Sequence, residues 1–251
     1  MSAGKNKRAP KGKKAAKKVV NPYLKKQWYT LTAPGHFSNR DIGQTLVTRS
    51  SGKRHAEDDL MGRIVVANMA DLMKDEKYCY RKLKLRVEQI KDRDCLTNFY
   101  GLDMTRDRLC QLFRKGMTFV ESFVDVKTLD GYSLRVFGVA FTAKAPGQLK
   151  RSCRAQSSIA KALRMRMSAT IRAKTTECSM KDLLTRFNEG SIEGEITKQL
   201  QQLHPVRDVY IKKVKVLSAP KFDQLRFDAM HEVAAPKQEA VAENAEAVDR
   251  F

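Results

Sequence analysis

The sequence predicts an α+β fold, an antiparallel-rich curved sheet with hairpins whose helices lie mainly in the C-terminal half. Two observations support this prediction. Apolar and polar residues alternate in several separate stretches, and helical periodicity prevails in the second half of the chain. The 251 residues, 42% of them apolar, suffice for one sizeable core and make no clear case for a second. We therefore expect one folded domain.

The strands are predicted from period-2 patterns. Apolar and charged residues alternate across residues 80–90, as in a strand with one solvent-exposed face. Residues 118–143 predict two strands joined at Asp130 and Gly131, a dipeptide suited to the positive φ angles of a tight hairpin. A further strand is predicted at residues 207–217. Together these patterns favour antiparallel pairing over alternating βαβ units.

The helices are predicted from 3.6-residue periodicity. They cover residues 105–115, 152–174, 180–188, 191–203 and 222–230. The two ends of the chain offer little to bury, because residues 1–20 are rich in Lys, Ala and Gly and residues 233–251 in Ala and Glu. We therefore expect a disordered basic arm at residues 1–20, one α+β domain at residues 21–232 and a disordered acidic tail at residues 233–251.

The net charge of +21 is concentrated in two segments that contain no acidic residue. Residues 1–40 carry 11 basic side chains, and residues 131–176 carry 10. The rest of the chain holds the other 28 basic residues together with all 28 acidic ones, so it is balanced. Solvated surface charges are normally interleaved, and such an excess of one sign indicates a polyanionic partner.

The second acid-free segment contains the predicted helix at residues 152–174, which has two different faces. At about 100° per residue, Ile159, Leu163 and Met167 stack on one side of this helix. The opposite side carries Lys150, Arg154, Lys161 and Arg172. A solvated helix, a membrane-surface helix and a helix facing nucleic acid are the alternatives. The lack of a large aromatic residue for lipid and of Glu for a solvated face favours nucleic acid.

The expected RNA-binding residues are basic side chains of the two acid-free segments. They are Lys5, Lys7, Arg8, Lys11, Lys13, Lys14, Lys17, Lys18, Lys25, Lys26, Lys150, Arg151, Arg154, Lys161, Arg164 and Arg172. Such side chains neutralise phosphates and release the counterions that surround them.

Catalytic signatures are mostly absent from the sequence. No glycine-rich phosphate loop occurs, and the four histidines are scattered. Glu57, Asp58 and Asp59 form an acidic cluster in which an RNA-modifying or RNA-cleaving enzyme would hold magnesium. The simpler interpretation is a solvated turn that faces Lys53 and Arg54. We predict no enzyme, no cofactor and no metal, with the magnesium-dependent enzyme as the alternative.

Cysteine spacing and hydropathy bear on the compartment. Five cysteines at uneven intervals predict neither a disulfide framework nor a zinc site and indicate a reducing compartment. No apolar run reaches the roughly 18 residues of a membrane span, and no apolar segment follows the charged N-terminus. We therefore expect neither secretion nor membrane association.

Five segments of the chain together resemble a known family. They are KKQWYTLTAPGHFSNRDIGQTLVTRSSG with the following GR pair, LTNFYGLDMTRD, VDVKTLDGYSLRVFGVAFT and HPVRDVYIKKVKVLSAPKFD. In this order they look like successive segments of the small-subunit ribosomal protein S-three-A family of eukaryotes and archaea. The basic arm and the acidic tail are similar to those of the eukaryotic members.

The resemblance implies a structural role in translation. A protein of this family would bind small-subunit ribosomal RNA on the platform near the messenger exit, beside other platform proteins and near the multi-subunit initiation factor three. The resemblance further implies a cytoplasmic ribosomal location, passage through the nucleolus during assembly, and no homo-oligomer.

The only tryptophan, Trp28, follows the basic arm at a position similar to that in the family. Tryptophan is highly buried on average, so we predict that Trp28 and the adjacent Tyr29 anchor the arm to the folded body. Stacking of the indole on an unpaired base is the alternative.

Overall fold

The computed structural model describes residues 21–231. The predicted basic arm and acidic tail lie outside these residues. The strands are β1 (Lys26–Thr32), β2 (Asp41–Thr48), β3 (Ile64–Asn68), β4 (Arg81–Lys91), β5 (Asp94–Met104), β6 (Phe119–Lys127), β7 (Ser133–Thr142) and β8 (Val206–Ser218). The helices are α1 (Ala56–Leu60), α2 (Met69–Met73), α3 (Arg106–Leu112), α4 (Ser157–Thr176), α5 (Met180–Glu189), α6 (Ser191–Gln201) and α7 (Gln224–His231). The predicted α+β class is confirmed.

The eight described strands form one mixed sheet that forks at β5. The main path runs β2-β1-β5-β8-β7-β6, and β3 and β4 join at the other edge of β5. One edge of β5 thus serves two partners: β1 pairs with its first residues in parallel, and β8 pairs with its later residues in antiparallel fashion. All other pairings are antiparallel. The predicted antiparallel-rich sheet is therefore confirmed, with one parallel contact.

The alternation in β4 has the predicted consequence. Leu83, Leu85 and Val87 are fully buried, whereas Lys82 and Arg86 on the other face are exposed. Strand β4 thus has one face in the core and one in solvent, as the period-2 pattern requires.

The hairpin between β6 and β7 is confirmed, but its turn differs from the predicted one. Only Gly131 adopts a positive φ, of 84°. Its N–H donates to the carbonyl of Thr128 at 3.1 Å, while the N–H of Thr128 donates to the carbonyl of Tyr132 at 2.9 Å. This pattern is typical of a three-residue loop that ends in a left-handed glycine. Asp130 instead uses its carboxylate to accept the Met180 N–H at the start of α5, at 2.6 Å.

The main core lies between the sheet and the helices α4, α5 and α6. Helix α4 inserts Leu163, Met167 and Ile171, each fully buried, against β6 and β7. Gly138 in β7 permits this approach, since a Cβ there would lie 3.0 Å from Ile171 Cδ1 and 3.1 Å from Met167 Sδ. A smaller apolar cluster beside α3 covers one end of the opposite sheet face.

A buried ion pair ties three elements together. Arg81 of β4 and Glu193 of α6 are 2% and 8% exposed, and Arg81 Nη2 lies 2.8 Å from Glu193 Oε1. The same carboxylate oxygen accepts the N–H of Ile211 in β8, at 2.8 Å. Burial raises the pKa of Glu193 above its ordinary value, although Arg81 and the Ile211 N–H act in the opposite direction. Arg81 and the Ile211 N–H therefore offset part of the cost of burying this carboxylate.

The predicted bounds of two helices differ most from the structure. The helix predicted from residue 152 begins at Ser157, because tertiary contacts hold the preceding residues in an extended form. Cys153 N–H donates to the Gly116 carbonyl at 2.8 Å, and Ala155 N–H donates to Thr118 Oγ1 at 3.0 Å. Helix α3 ends at Leu112 because the next residue is extended and packs against two further aromatic rings.

Within residues 21–231, no helix has both the length and the apolar character that crossing a membrane requires.

Candidate nucleic-acid interface

The most basic part of the described chain is α4 together with the loop that leads into it. Helix α4 buries a stripe formed by Ala160, Leu163, Met167, Ile171 and Thr175. Its opposite face is exposed and carries Lys161, Arg164 and Arg172. The predicted separation of an apolar and a cationic face is therefore present in α4. Ile159, expected on the apolar face, is partly buried and packs against the core.

Two residues expected on the charged face of the helix lie before it. Lys150 and Arg154 are exposed in the segment that precedes α4, as is Arg151, so the assignment of Lys150 and Arg154 to a helical face is wrong. The reason is the anchoring of this segment to Gly116 and Thr118, which overrides its helical pattern. These three cations nevertheless continue the exposed charge of α4 along the chain.

The loop before α4 is held in shape by Gln148. Its Nε2 donates to the carbonyls of Ser152 at 2.7 Å and Lys150 at 3.2 Å, and its Oε1 accepts the N–H of Ala145 at 3.1 Å. A loop that is ordered beforehand loses less conformational entropy when it binds.

Most of the cations in this region have no acidic partner among the described residues. In the acid-free segment 131–176, Arg135 pairs with Asp125 at 2.6 Å and Lys174 pairs with Glu195 at 3.0 Å. The remaining eight form no ion pair within residues 21–231. We call these eight the basic ridge: Lys144, Lys150, Arg151, Arg154, Lys161, Arg164, Arg166 and Arg172. Because no acid of residues 21–231 pairs with it, the ridge is suited to a polyanion.

Two apolar side chains project from the same region, and the search for charge did not identify them. Leu149 is 99% exposed and Met165 is 66% exposed. Leu149 precedes Lys150 and Met165 follows Arg164. Exposed apolar residues between cations are able to contact sugars and base faces, which charge alone does not recognise.

The expected burial of Trp28 is wrong. Its side chain is 56% exposed, whereas Tyr29 is buried. Both lie in β1, where successive side chains point to opposite faces. Tyr29 and Leu31 take the inward positions, which leaves the indole outside. The exposed ring matches the geometry required by the alternative, base stacking.

The predicted RNA-binding residues occupy more than one place. Lys25 precedes β1 and Lys26 is its first residue. Strands β5 and β8 separate β1 from β7, whereas α4 packs on β6 and β7. The eight cations from Lys5 to Lys18 lie outside the described residues. The structure therefore brings together the second acid-free segment and separates it from Lys25 and Lys26.

The acidic cluster has a structural use. Glu57, Asp58 and Asp59 lie in the first turn of α1. Asp59 accepts two hydrogen bonds from Arg54, at 2.9 and 3.0 Å, and this contact raises the pKa of the Arg54 guanidinium. Across residues 21–231, no three His, Cys, Asp or Glu side chains are placed to share a metal ion.

Two of the histidines serve the fold. Burial, together with Lys181 and His231, lowers the pKa of His36 from 6.5 to about 4, so its ring is neutral near pH 7. Burial also lowers the pKa of His231, whose Nε2 lies 2.9 Å from the Thr97 carbonyl oxygen.

The chain is similar to known proteins over most of its length. The Ribosomal S3Ae family matches residues 14–220. Relatives named "Small ribosomal subunit protein eS1" from Babesia bovis and from Plasmodium vivax (strain Salvador I) are each 46% identical over 232 residues, covering 92% of this chain and 88% of the relative. A relative of the same name from Theileria annulata is 43% identical over 239 residues, covering 95% of this chain and 91% of its own.

Proposed function

Because the chain belongs to the ribosomal S3Ae family, we propose that its basic ridge holds it on small-subunit ribosomal RNA. The protein is a structural constituent of the small ribosomal subunit, works in translation in the cytoplasm and is not an enzyme. The single observation that carries the proposal is the set of eight exposed cations on α4 and the preceding loop that form no ion pair within residues 21–231. Such a surface contacts phosphates and fixes position with little preference for sequence.

The packing of α4 gives the ridge its rigidity. Its buried stripe lies against β6 and β7, so the exposed cations project from a helix fixed to the core. A rigid element holds charges at set distances, which lowers the entropy lost on binding. A flexible lysine-rich segment would need to be ordered first.

The finer points of the proposal rest on the family resemblance. They are a place on the platform near the messenger exit, neighbouring platform proteins, proximity to initiation factor three, nucleolar passage and the absence of a homo-oligomer. We further propose that residues 21–232 act as one RNA-binding domain, that the cations from Lys5 to Lys26 add phosphate contacts, and that the exposed ring of Trp28 stacks on a base.

The test is a salt titration of ribosomal RNA binding by a variant in which Arg154, Lys161 and Arg172 are changed to Gln. The plot of log affinity against log salt should become shallower by up to about 2 to 3, because each lost phosphate contact contributes about 0.7 to 0.9. Lys53, Lys74 and Lys77, changed to Gln together, are the matched control, because these exposed lysines lie between β2 and β4. Equal effects of the two triple variants would show that the ridge has no special role.

A second variant tests the other face of α4. Leu163→Gln places an amide in a fully buried site, so it should lower the melting temperature of the free protein. The triple Gln variant should melt like the parent, since its side chains are exposed. A parent-like melt of Leu163→Gln would contradict the assignment of the two faces.

A further inference from the structure

The face of the sheet opposite α4 presents a row of side chains that crosses six strands. The strand register aligns Val66, Lys84, Gly101, Lys215, Arg135 and Asp125, from β3 to β6. A second row, two residues away on each strand, includes Lys82, Lys213, Phe137 and Phe123. The residues between the rows are buried on the helix side, so both rows share one face. We call this surface the open sheet face.

The open sheet face carries an excess of positive charge. Its two rows contain five basic side chains, Lys82, Lys84, Arg135, Lys213 and Lys215, against the two acids Asp103 and Asp125. The nearby pair of Lys212 and Glu121, 2.9 Å apart, is neutral in sum.

Both acids of the open sheet face are already engaged. Asp103 Oδ2 lies 3.4 Å from the Nζ atoms of both Lys84 and Lys213. Asp125 receives both hydrogen bonds of the Arg135 guanidinium, at 2.6 and 2.7 Å. Lys82 and Lys215 are exposed and form no ion pair within the described residues 21–231. The face therefore keeps free cations, while its acids are held by neighbours.

Two aromatic rings lie among these cations. Phe123 is 62% exposed in the middle of β6, and its ring centroid is 6.1 Å from that of Phe137. The Arg135 guanidinium carbon lies 5.5 Å from the Phe123 ring centroid. Lys215 Nζ lies 5.9 Å from the Phe137 centroid. Aromatic rings flanked by cations on an open sheet are the features with which proteins bind unpaired bases and the adjoining phosphates.

We propose that the open sheet face is a second RNA-binding surface, which takes a single-stranded segment. The bases stack on Phe123 and Phe137, and Lys82, Lys213 and Lys215 contact the phosphates. Duplex RNA keeps its bases stacked within the helix and would leave the rings unused. This inference rests on the ribosomal RNA role proposed above, but it concerns a surface distinct from the basic ridge.

One end of the open sheet face is closed by α3. Arg108 of this helix donates from Nη2 to the hydroxyl of Tyr210 at 2.8 Å. Its guanidinium carbon lies 6.0 Å from the ring centroid of Tyr80 and 5.5 Å from that of Tyr210. Helix α3 therefore forms one boundary of the open sheet face, and Phe123 and the lysines lie on the uncovered part.

The experiment uses the full chain and a fluorescent oligouridine of about 12 nucleotides, within the range of single-strand site sizes. Phe123→Thr retains a residue suited to strands and removes the ring. It should weaken oligouridine binding by about 5- to 150-fold, which corresponds to the loss of one stacked base. Phe123→Tyr keeps a ring and should bind like the parent. Binding of a hairpin duplex should change in neither variant.

Three outcomes would overturn the proposal. One is parent-like oligouridine binding by Phe123→Thr, and another is equal weakening of duplex and single strand. The third is that the parent binds an acidic peptide but not oligouridine, and that Phe123→Thr no longer binds this peptide. If Phe123→Thr melts at a lower temperature than the parent, a double variant with Lys82→Gln and Lys215→Gln replaces it. If the salt dependence of oligouridine binding is then the same as in the parent, the proposal is wrong.

The failure of this proposal is distinguishable from failure of the basic ridge. The triple Gln variant of the ridge should keep its oligouridine affinity, and Phe123→Thr should keep the salt slope for duplex RNA. Loss of both kinds of binding in the triple variant would place single strands on the ridge and so overturn the second surface.

Discussion

Replacing Glu193 with Gln tests how the buried ion pair contributes to stability. Gln keeps a side-chain oxygen for the Ile211 N–H and removes the charge that faces Arg81. The Arg81 side chain lies in the interior, where it is 2% exposed. Its Nε and Nη1 have no hydrogen-bond partner within residues 21–231. The variant therefore keeps a buried cation whose countercharge has gone.

The expected cost follows from this geometry. Breaking a buried pair by removing one partner costs about 3–5 kcal/mol, and Glu193→Gln should lie at the lower end because the Ile211 hydrogen bond survives. Arg81→Met should cost a similar amount, although Glu193, whose pKa is already raised by burial, is able to take up a proton. The double variant should return to within about 1 kcal/mol of the parent, since both desolvation costs are removed.

The assay is urea unfolding of the four proteins at pH 7, with thermal melts in parallel. For a chain of this size, about 3 kcal/mol corresponds to a fall of roughly 6–12 °C in melting temperature. Equal urea slopes would show that the compared states are alike. If the costs of the single variants add in the double variant, the two side chains act independently and the reasoning is wrong.

Three further changes have defined outcomes. Trp28→Ala should lower the free energy of unfolding, measured with urea, by less than about 1 kcal/mol, because the indole is 56% exposed. It should weaken RNA binding, measured by titration, by about 1–3 kcal/mol. A large loss of stability would instead support the role of Trp28 as an anchor of the arm. Gly138→Val should lower the free energy of unfolding by about 1–3 kcal/mol, because the added side chain overpacks against Met167 and Ile171. Urea unfolding measures this loss, with Gly194→Val at an open position as the control. Equal losses in the two variants would contradict the close contact at Gly138. Burial lowers the pKa of His36 to about 4, so its neutral ring contributes stability above pH 6.5, and up to about 3 kcal/mol of the free energy of unfolding is lost as the pH falls towards 4. His36→Asn should make the free energy of unfolding less dependent on pH between about pH 7 and 4.5. A pH profile equal to that of the parent would exclude His36 as the source of the loss.

Local patterns predicted the elements whose faces differ in polarity. The alternation in β4 and the apolar stripe of α4 each reflect one buried and one exposed side, so the period is visible in the sequence. Strand β5 was missed because Cys95 to Phe99 are all buried, which removes the alternation. The extended start of the basic ridge was missed because its hydrogen bonds come from residues 116 and 118, far from it along the chain.

The two surfaces differ in how much the sequence reveals. The basic ridge is nearly contiguous, so a charge count along the chain finds it. The lysines of the open sheet face belong to β4 and β8, more than 100 residues apart, and each strand also contains an acid, so neither lies in an acid-free segment. Only the register that places β5 between these strands brings the cations together. Trp28 shows the converse error, because an average preference for burial was overridden by its place on an outward face.

The position of β8 makes completion of the sheet a late step of synthesis. It is the last strand of residues 21–231, yet it lies between β5 and β7 and links the hairpin of β6 and β7 to the strands made earlier. Until Ser218 has been added, β5 and β7 each keep an unpaired edge, the kind of edge that invites wrong pairing with other chains. A chain that stops before Val206 therefore lacks both this central strand and the lysines it carries, so the open sheet face is complete only after β8 has been made.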